Sequence, residues 1–135
     1  MIPCTLGRIV LRDGEDSQYI YLAESGGQRG FPIVIGWNEV QEIRRVVHDS
    51  DPLRPLTHRL AYDVIEALNA SIKHVDIVDL KDNTFFAQLV LQNDAGDELA
   101  VVDSRPSDAI ALALRARCPI RVAESVMKRA APDAG

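Results

Sequence analysis

The order in which strand-like and helix-like patterns follow one another constrains the fold of this chain most. Three extended runs come first and two helical patterns follow; then come three more extended runs, a helix, a short strand and a last helix. A doubly wound parallel sheet needs strict alternation of strands and helices, which this order lacks. We therefore expect an α+β fold with a largely antiparallel or mixed sheet, helices packed on it, and a faint internal repeat of three strands then a helix.

The extended runs are recognised by alternating apolar residues and by the turns between them. Asp13-Gly14-Glu15-Asp16 separates two such runs between Leu6 and Leu22, and Asp-Gly in that setting is a strong hairpin signal. Within the second run Ile20 and Leu22 share one face of the predicted sheet. Further strands are predicted at residues 31–35, 72–80, 84–92, 98–103 and 119–122.

Helical spacing of apolar residues predicts the helices. The first covers about residues 38–48 with Asn38 as N-cap, and the second begins with Thr57 as N-cap. The third covers residues 107–117 with Ser107 as N-cap, and a short terminal helix follows. Residues 107–117 are apolar almost all the way round, so this helix is either sandwiched in the core or covered by another subunit. We expect a homo-oligomer, a dimer or higher, that forms through it.

Length and composition fit one ordinary domain. The 135 residues carry 15 Lys and Arg against 20 Asp and Glu, a net charge of −5, so no bulk basic field attracts nucleic acid or membranes. We expect a single domain over residues 1–130 and a frayed tail at 131–135. The sequence shows no membrane-spanning run or leader pattern, and Cys4 and Cys118 have no partners at zinc-site spacing. We therefore expect a cytoplasmic protein with two reduced thiols and no membrane partner.

Two similar helix starts are the most informative local feature. Arg54-Pro55-Leu56-Thr57-His58 and Arg105-Pro106-Ser107-Asp108 lie 51 residues apart, and each places an arginine beside a helix N-terminus. Free N–H groups and the positive dipole end make such a terminus an anion site, and a guanidinium can hold a phosphate through two donors. Two such sites could clamp a phosphodiester. Alternatively, Pro with Thr or Ser simply starts a helix well, and the two arginines pair with Asp51 and Asp103 at the surface.

Groups for proton transfer and metal binding lie at the same helix and strand ends. His58 falls in a first helical turn, where the positive dipole end disfavours the imidazolium and leaves a neutral ring able to accept a proton. The carboxylates of Glu39, Asp103 and Asp108 are oxygen ligands of the kind that hold Mg²⁺ or Mn²⁺, although no spacing signature connects them. Helix-dipole charge and turn capping explain the same acids without a metal. Asp76, on a predicted strand, is expected to face solvent.

Four motifs in sequence order resemble the bifunctional nuclease domain family. They are Phe31-Pro32-Ile33-Val34-Ile35-Gly36 with Glu39 after it, Arg54-Pro55-Leu56-Thr57-His58, Leu80-Lys81-Asp82-Asn83-Thr84-Phe85-Phe86-Ala87, and Asp103-Ser104-Arg105-Pro106-Ser107-Asp108-Ala109-Ile110. The resemblance extends from about Leu6 to Met127. It implies a small α+β domain that self-associates and cleaves both RNA and DNA. The residues that match its polar motif positions are Glu39, Arg54, Thr57, His58, Asp103, Arg105, Ser107 and Asp108.

One position departs from the pattern of the family. Arg59 stands where the family usually has Asp after the Thr-His pair, a change of two charge units. If that carboxylate holds a metal in the family, metal binding is weakened in this chain. If it only caps a helix, Arg59 costs little.

Two functions from different classes follow as hypotheses. The first is a nuclease that hydrolyses RNA and DNA with Mg²⁺ or Mn²⁺, in which Asp108 with Asp103 or Glu39 holds the metal and His58 moves the proton. Asp103 counts among the catalytic residues with His58 and Asp108, and the substrate-binding residues are Arg54, Arg105, Thr57 and Ser107. The second is a noncatalytic oligomeric interaction or regulatory domain that binds an anionic ligand or a protein partner. A third interpretation makes the arginines and acids a buried ion-pair network that locks the fold.

Overall fold

A computed structural model describes residues 1–12 and 14–132. The order of its elements confirms three strands and a helix in each half. The predicted turn residue Asp13 and the predicted frayed tail beyond residue 132 lie outside the described residues. The elements are β1 (Ile2–Val10), β2 (Ser17–Glu24), β3 (Gly30–Gly36), α1 (Trp37–Val47), α2 (Thr57–Ala67), β4 (Ala70–Lys81), β5 (Thr84–Asn93), β6 (Glu98–Ser104), α3 (Pro106–Ala116), β7 (Ile120–Val122) and α4 (Glu124–Ala130).

The described strands form one mixed sheet in the order β3-β2-β1-β7-β4-β5-β6. Two antiparallel meanders, β1-β2-β3 and β4-β5-β6, make up its halves. The short strand β7 lies between them: Ile120 is antiparallel to Cys4 on β1 and parallel to Val75 on β4. The α+β fold with a mixed sheet is therefore confirmed.

Directly paired residues on neighbouring strands share a face of the sheet, and this separates core positions from open ones. Val75, Leu89 and Val102 form one such row, and α3 packs on the strands that carry its buried members. The next row, formed by Asp76, Gln88 and Asp103, lies on the opposite face. Alternation thus directs the side chain of Asp103 away from the face that α3 covers.

Asp76 does not face solvent as predicted. It is 6% exposed, and Arg121 donates Nε and Nη2 to its two carboxylate oxygens at 2.8 and 2.9 Å. His74 Nδ1 lies 3.0 Å from Asp76 Oδ1. The parallel pairing of β7 with β4 sets Arg121 opposite Asp76, so a strand pairing that no local pattern reveals makes this carboxylate buried and paired.

The predicted helices are present, but their predicted N-caps are wrong. Each cap has an extended backbone and makes no side-chain cap hydrogen bond. In α3 the cause is Pro106, whose fixed φ suits the first helical position and makes the residue before it the cap. Asn38, Thr57 and Ser107 therefore lie within first turns, and the caps are Gly36, Leu56 and Arg105.

The apolar helix α3 is buried by its own chain. Ser107 and residues 109–113 are all buried, with α1 and α2 against the helix and β4 and β5 beneath it. Of the two explanations for its apolar circumference, sandwiching in the core is the correct one, so helix 107–117 has almost no free surface for a second subunit. None of the helices in the described residues combines the length and apolar character needed to cross a membrane.

Candidate functional site

The first turns of three helices meet at one place. Glu39 is the third residue of α1, His58 the second of α2, and Arg105 and Asp108 are the N-cap and third residue of α3. These four side chains, here called the helix-start cluster, are connected by hydrogen bonds. Because each helix directs free N–H groups and a positive dipole end toward its start, the place where they meet favours negative charge.

Asp108 is at the centre of the helix-start cluster. Its Oδ1 lies 2.6 Å from His58 Nε2 and 2.9 Å from Arg105 Nη2, and its Oδ2 accepts from Arg105 Nε at 2.8 Å. The fork of Arg105 thus binds the carboxylate through two parallel bonds. His58 and Asp108 stand 50 positions apart in the chain. Packing of α2 on α3 brings them together.

The charge of Asp108 determines which nitrogen of His58 carries a proton. Burial raises the pKa of Asp108, but hydrogen bonds from Arg105 and His58 outweigh it and hold that pKa below the ordinary 3.8. An ionised carboxylate only accepts hydrogen bonds, so His58 Nε2 is the donor in their contact. In a neutral ring the lone pair then sits on Nδ1. The pair therefore presents Nδ1 as a proton acceptor oriented by a carboxylate.

Arg105 connects the third helix and keeps donors free. Its Nη1 donates to Glu39 Oε1 at 3.2 Å, and the hydrogen bond with Asp108, followed by that with Glu39, raises its pKa. Three of the five guanidinium N–H groups are used in the cluster, which leaves two. Because the side chain is 61% exposed, those two can reach an anion in solvent.

Gly36 makes room for Glu39 at the start of α1. A Cβ built on Gly36 would come 2.4 Å from Glu39 Oε2, a separation that real Cβ atoms do not show. With any larger residue at this N-cap, Oε2 at the flexible end of Glu39 would have to shift, while Oε1, which accepts from Arg105, lies 3.9 Å from the built Cβ.

Of the remaining predicted site residues, some line cavities beside the helix-start cluster and others are exposed on the surface. Thr57 lines a cavity of about 350 Å³ together with His58 and Glu39, and Ser107 lines a second cavity beside Arg105. Arg54 is exposed before α2. Asp103 is exposed on β6 and, within residues 1–12 and 14–132, has no hydrogen bond to the helix-start cluster. The surface pairings predicted for the two arginines are wrong as well, since Asp51 binds Arg115 and Arg105 binds Asp108.

Arg59, at the position that departs from the family pattern, binds acids outside the helix-start cluster. Its Nε donates to Asp63 at 3.1 Å and its Nη1 to Asp51 at 3.4 Å. The arginine therefore connects Asp63 on α2 with Asp51, which precedes that helix.

The three carboxylates predicted as metal ligands, Glu39, Asp103 and Asp108, do not form one group. No group of three or more His, Cys, Asp and Glu side chains suited to a metal occurs in the described part of the chain. The two clustered carboxylates, Glu39 and Asp108, are joined by Arg105, whose positive charge occupies the position of a bridging cation. Asp103, the third predicted ligand, belongs to the opposite face of the sheet.

The sequence comparisons agree with the fold. The model of the bifunctional nuclease domain matches residues 20–134, and the chain belongs to this family. Two relatives from Mycobacterium tuberculosis, "Uncharacterized protein MT1877" of strain CDC 1551 / Oshkosh and "Uncharacterized protein Rv1829" of strain ATCC 25618 / H37Rv, are each 41% identical over 116 residues. Those residues are 86% of this chain and 68% of each relative.

Proposed function

We propose that the chain is a nuclease that hydrolyses phosphodiester bonds of RNA and DNA at the helix-start cluster. The observation that carries the proposal is the 2.6 Å contact of His58 Nε2 with Asp108 Oδ1, on a carboxylate that Arg105 also holds. A base oriented by a carboxylate, with a guanidinium beside it, supplies the two things that phosphodiester hydrolysis needs. These are a proton acceptor and a positive group for the developing charge.

The reaction proceeds by attack of water on phosphorus. The two free N–H groups of Arg105 bind the non-bridging oxygens, with the helix starts adding positive potential. His58 Nδ1 takes the proton of the attacking water while the bond from phosphorus to the leaving oxygen breaks. The leaving oxygen departs on the side opposite the attacking water and takes a proton from solvent there. The imidazolium afterwards gives its proton to solvent, and Asp108 keeps the ring oriented throughout. Thr57 and Ser107 line the two cavities beside the cluster and contact the nucleic-acid strand. Arg54 provides a further exposed cation before α2.

Metal assistance by Mg²⁺ or Mn²⁺ is kept as a testable part of the hypothesis. A cation between Glu39 and Asp108 would have to displace Arg105, so the steps above assign charge stabilisation to that arginine. No step depends on Asp103.

The test is hydrolysis of labelled RNA and DNA, single-stranded and duplex, with Mg²⁺, Mn²⁺ or EDTA. Asp108→Asn should reduce cleavage by about 100-fold or more, whereas Asp103→Asn, the same change on the opposite sheet face, should retain it. Circular dichroism and thermal melting establish that both variants are folded. If wild type and Asp108→Asn share the same trace cleavage, the activity is a contaminant and the nuclease hypothesis fails.

A second candidate is a noncatalytic domain that binds an anionic ligand or a protein. The observation in its favour is that the charges of the helix-start cluster largely satisfy one another, while the chain as a whole carries −5. Salt dependence separates the two classes. Binding to duplex DNA weakens with a log–log slope of about −0.9 per phosphate contact, whereas an apolar protein interface barely responds to salt.

We also propose that the chain self-associates, and that it does so through a surface other than α3. Along α2 the residues Leu56, Leu60, Val64 and Leu68 recur every fourth position and are 44%, 53%, 50% and 73% exposed. This α2 stripe is the surface that we assign to contact with a second copy. A cytoplasmic location is also proposed, supported by the free thiols of Cys4 and Cys118.

A further inference from the structure

A second cavity, of about 730 Å³, opens next to Arg105. Strand β3, the turn between β4 and β5, the start of α3 and the end of α4 line it. Its volume lies within the range of small-molecule sites, roughly 300–1,000 Å³. The helix-start cluster borders this cavity through Glu39 and Arg105, so a ligand bound at Arg105 can extend into it.

One wall of the cavity carries Phe85, an aromatic ring that stacks on a buried phenylalanine behind it. Phe31 and Phe85 lie with ring centroids 5.3 Å apart and planes at 20°. Phe31 is fully buried, whereas Phe85 is partly exposed and lines the cavity with Ile33 and Ile35. Phe31 covers one face of the Phe85 ring. A third flat ring in the cavity would therefore continue a stack that the protein has begun.

Polar groups surround this apolar wall. Arg129 lines the cavity while its Nη2 binds Asp79 Oδ1 at 3.0 Å, and Ser107 contributes a hydroxyl on a residue only 7% exposed. Asn83 also lines it, in the two-residue turn where Asp82 and Asn83 have φ of 50° and 62°. Positive φ at both positions is the geometry of a tight hairpin turn, which fixes the backbone from which the Asn83 side chain extends.

We propose that this cavity binds one unpaired nucleobase of the strand whose phosphate lies on Arg105, so that the substrate is a single-stranded or locally unpaired nucleic acid. The inference rests on the proposed function for the position of the phosphate. A base inside a duplex is stacked on both faces and cannot present one to Phe85, whereas an unpaired base stacks on an aromatic side chain irrespective of its identity. The surrounding amide, hydroxyl and guanidinium groups then reach its edge.

The test uses AMP and ribose 5-phosphate as probes, since both carry the phosphate and only AMP carries a base. Titration calorimetry should show that AMP binds at least about 10-fold more tightly. Phe85→Leu should bring the two affinities to within about 3-fold. Phe86→Leu is the matched control, because Phe86 pairs with Asp79 on the other face of the sheet and is 40% exposed. The Phe86→Leu variant should retain the full difference in affinity between AMP and ribose 5-phosphate.

A measurement on the unaltered protein covers the case in which Phe85→Leu does not fold. AMP added to ¹⁵N-labelled wild type should shift the amide resonances of residues 83–85, Arg105 and Ser107. Equal affinities for AMP and ribose 5-phosphate, equal losses in the two phenylalanine variants, or shifts elsewhere would each overturn the base site. AMP contains no phosphodiester bond, so its binding is measured apart from cleavage and either proposal can fail alone.

Discussion

Arg115 Nη2 lies 2.7 Å from Glu42 Oε1, and the two side chains are only 8% and 2% exposed. The same guanidinium donates to both oxygens of Asp51, at 2.6 and 3.0 Å. The last turn of α3 is thus tied to the middle of α1 and to the segment that precedes α2. This buried ion-pair network is built on Arg115, at the opposite end of α3 from Arg105, and not on Arg54 and Arg105 as the third interpretation of the sequence had it.

Replacing Arg115 with Met should destabilise the protein by on the order of 3 kcal/mol, because one oxygen of the buried Glu42 would lose its donor. Within the described residues, Asp51 would keep only the 3.4 Å contact with Arg59. Urea denaturation monitored by circular dichroism measures this. A loss below about 1 kcal/mol, the scale of an exposed pair, would show that the network contributes little.

Arg105→Gln should change stability far less than Arg115→Met. The Arg105 side chain is 61% exposed, and exposed ion pairs contribute about 0–1 kcal/mol. Cleavage and phosphate binding should nevertheless fall steeply, since the two free N–H groups are lost. Thermal melting beside the hydrolysis assay gives both values, and a large drop in melting temperature would assign Arg105 to the fold instead.

Stability should depend on pH through Asp51. The hydrogen bond from Arg115 holds the pKa of Asp51 below its ordinary 3.8. A lowered folded-state pKa means that the stabilisation is complete above about pH 4 and is lost as the pH falls through the folded-state value. The urea midpoint should therefore change little between pH 6 and pH 4 and should fall between pH 4 and pH 3. Asp51→Asn should be less stable at pH 6 and show a smaller drop, and parallel curves for the two proteins would contradict this.

His58→Gln and Asp108→Asn should each reduce cleavage by about 100-fold to 10,000-fold, the range of a positioned acid–base group. Because the pair acts as a unit, the double variant should lose scarcely more than either single one. Single-turnover rates of the three variants test this, with Asp103→Asn as control. If the rate reduction of the double variant equals the product of the two single reductions, the two residues work independently.

Leu60→Glu should dissociate the proposed oligomer, since it places a charge in the centre of the α2 stripe. Leu99→Glu is the matched control, because Leu99 on β6 is similarly exposed at 56%. Light scattering after size-exclusion chromatography gives the masses. A wild type that is monomeric at high micromolar concentration would refute the interface outright.

The sequence predicted the parts of the site that depend on local spacing. It placed Arg105 and Asp108 at one helix start, where their spacing of three residues brings the two side chains together, although it paired Arg105 with Asp103 instead. The contact of His58 with Asp108 depends on how α2 packs on α3, which no local pattern specifies. Asp103 was grouped with Asp108 because both lie near the end of a strand or helix, but side chains alternate along a strand and Asp103 lies on the sheet face away from α3. Burial of Asp76 likewise follows from a three-residue strand near the end of the chain.

The position of β7 has a consequence for how the domain is made. Residues 120–122 are synthesised after both meanders. Until they are available, the edges of β1 and β4 that pair with β7 in the folded domain have no hydrogen-bond partner. Such open edges invite pairing with other chains. During synthesis there is therefore an interval in which β1 and β4 are formed but β7 is not yet available to pair with them. We expect the nascent chain to depend most on chaperones in that interval. A nascent chain halted before Ile120 would be the form most prone to aggregate.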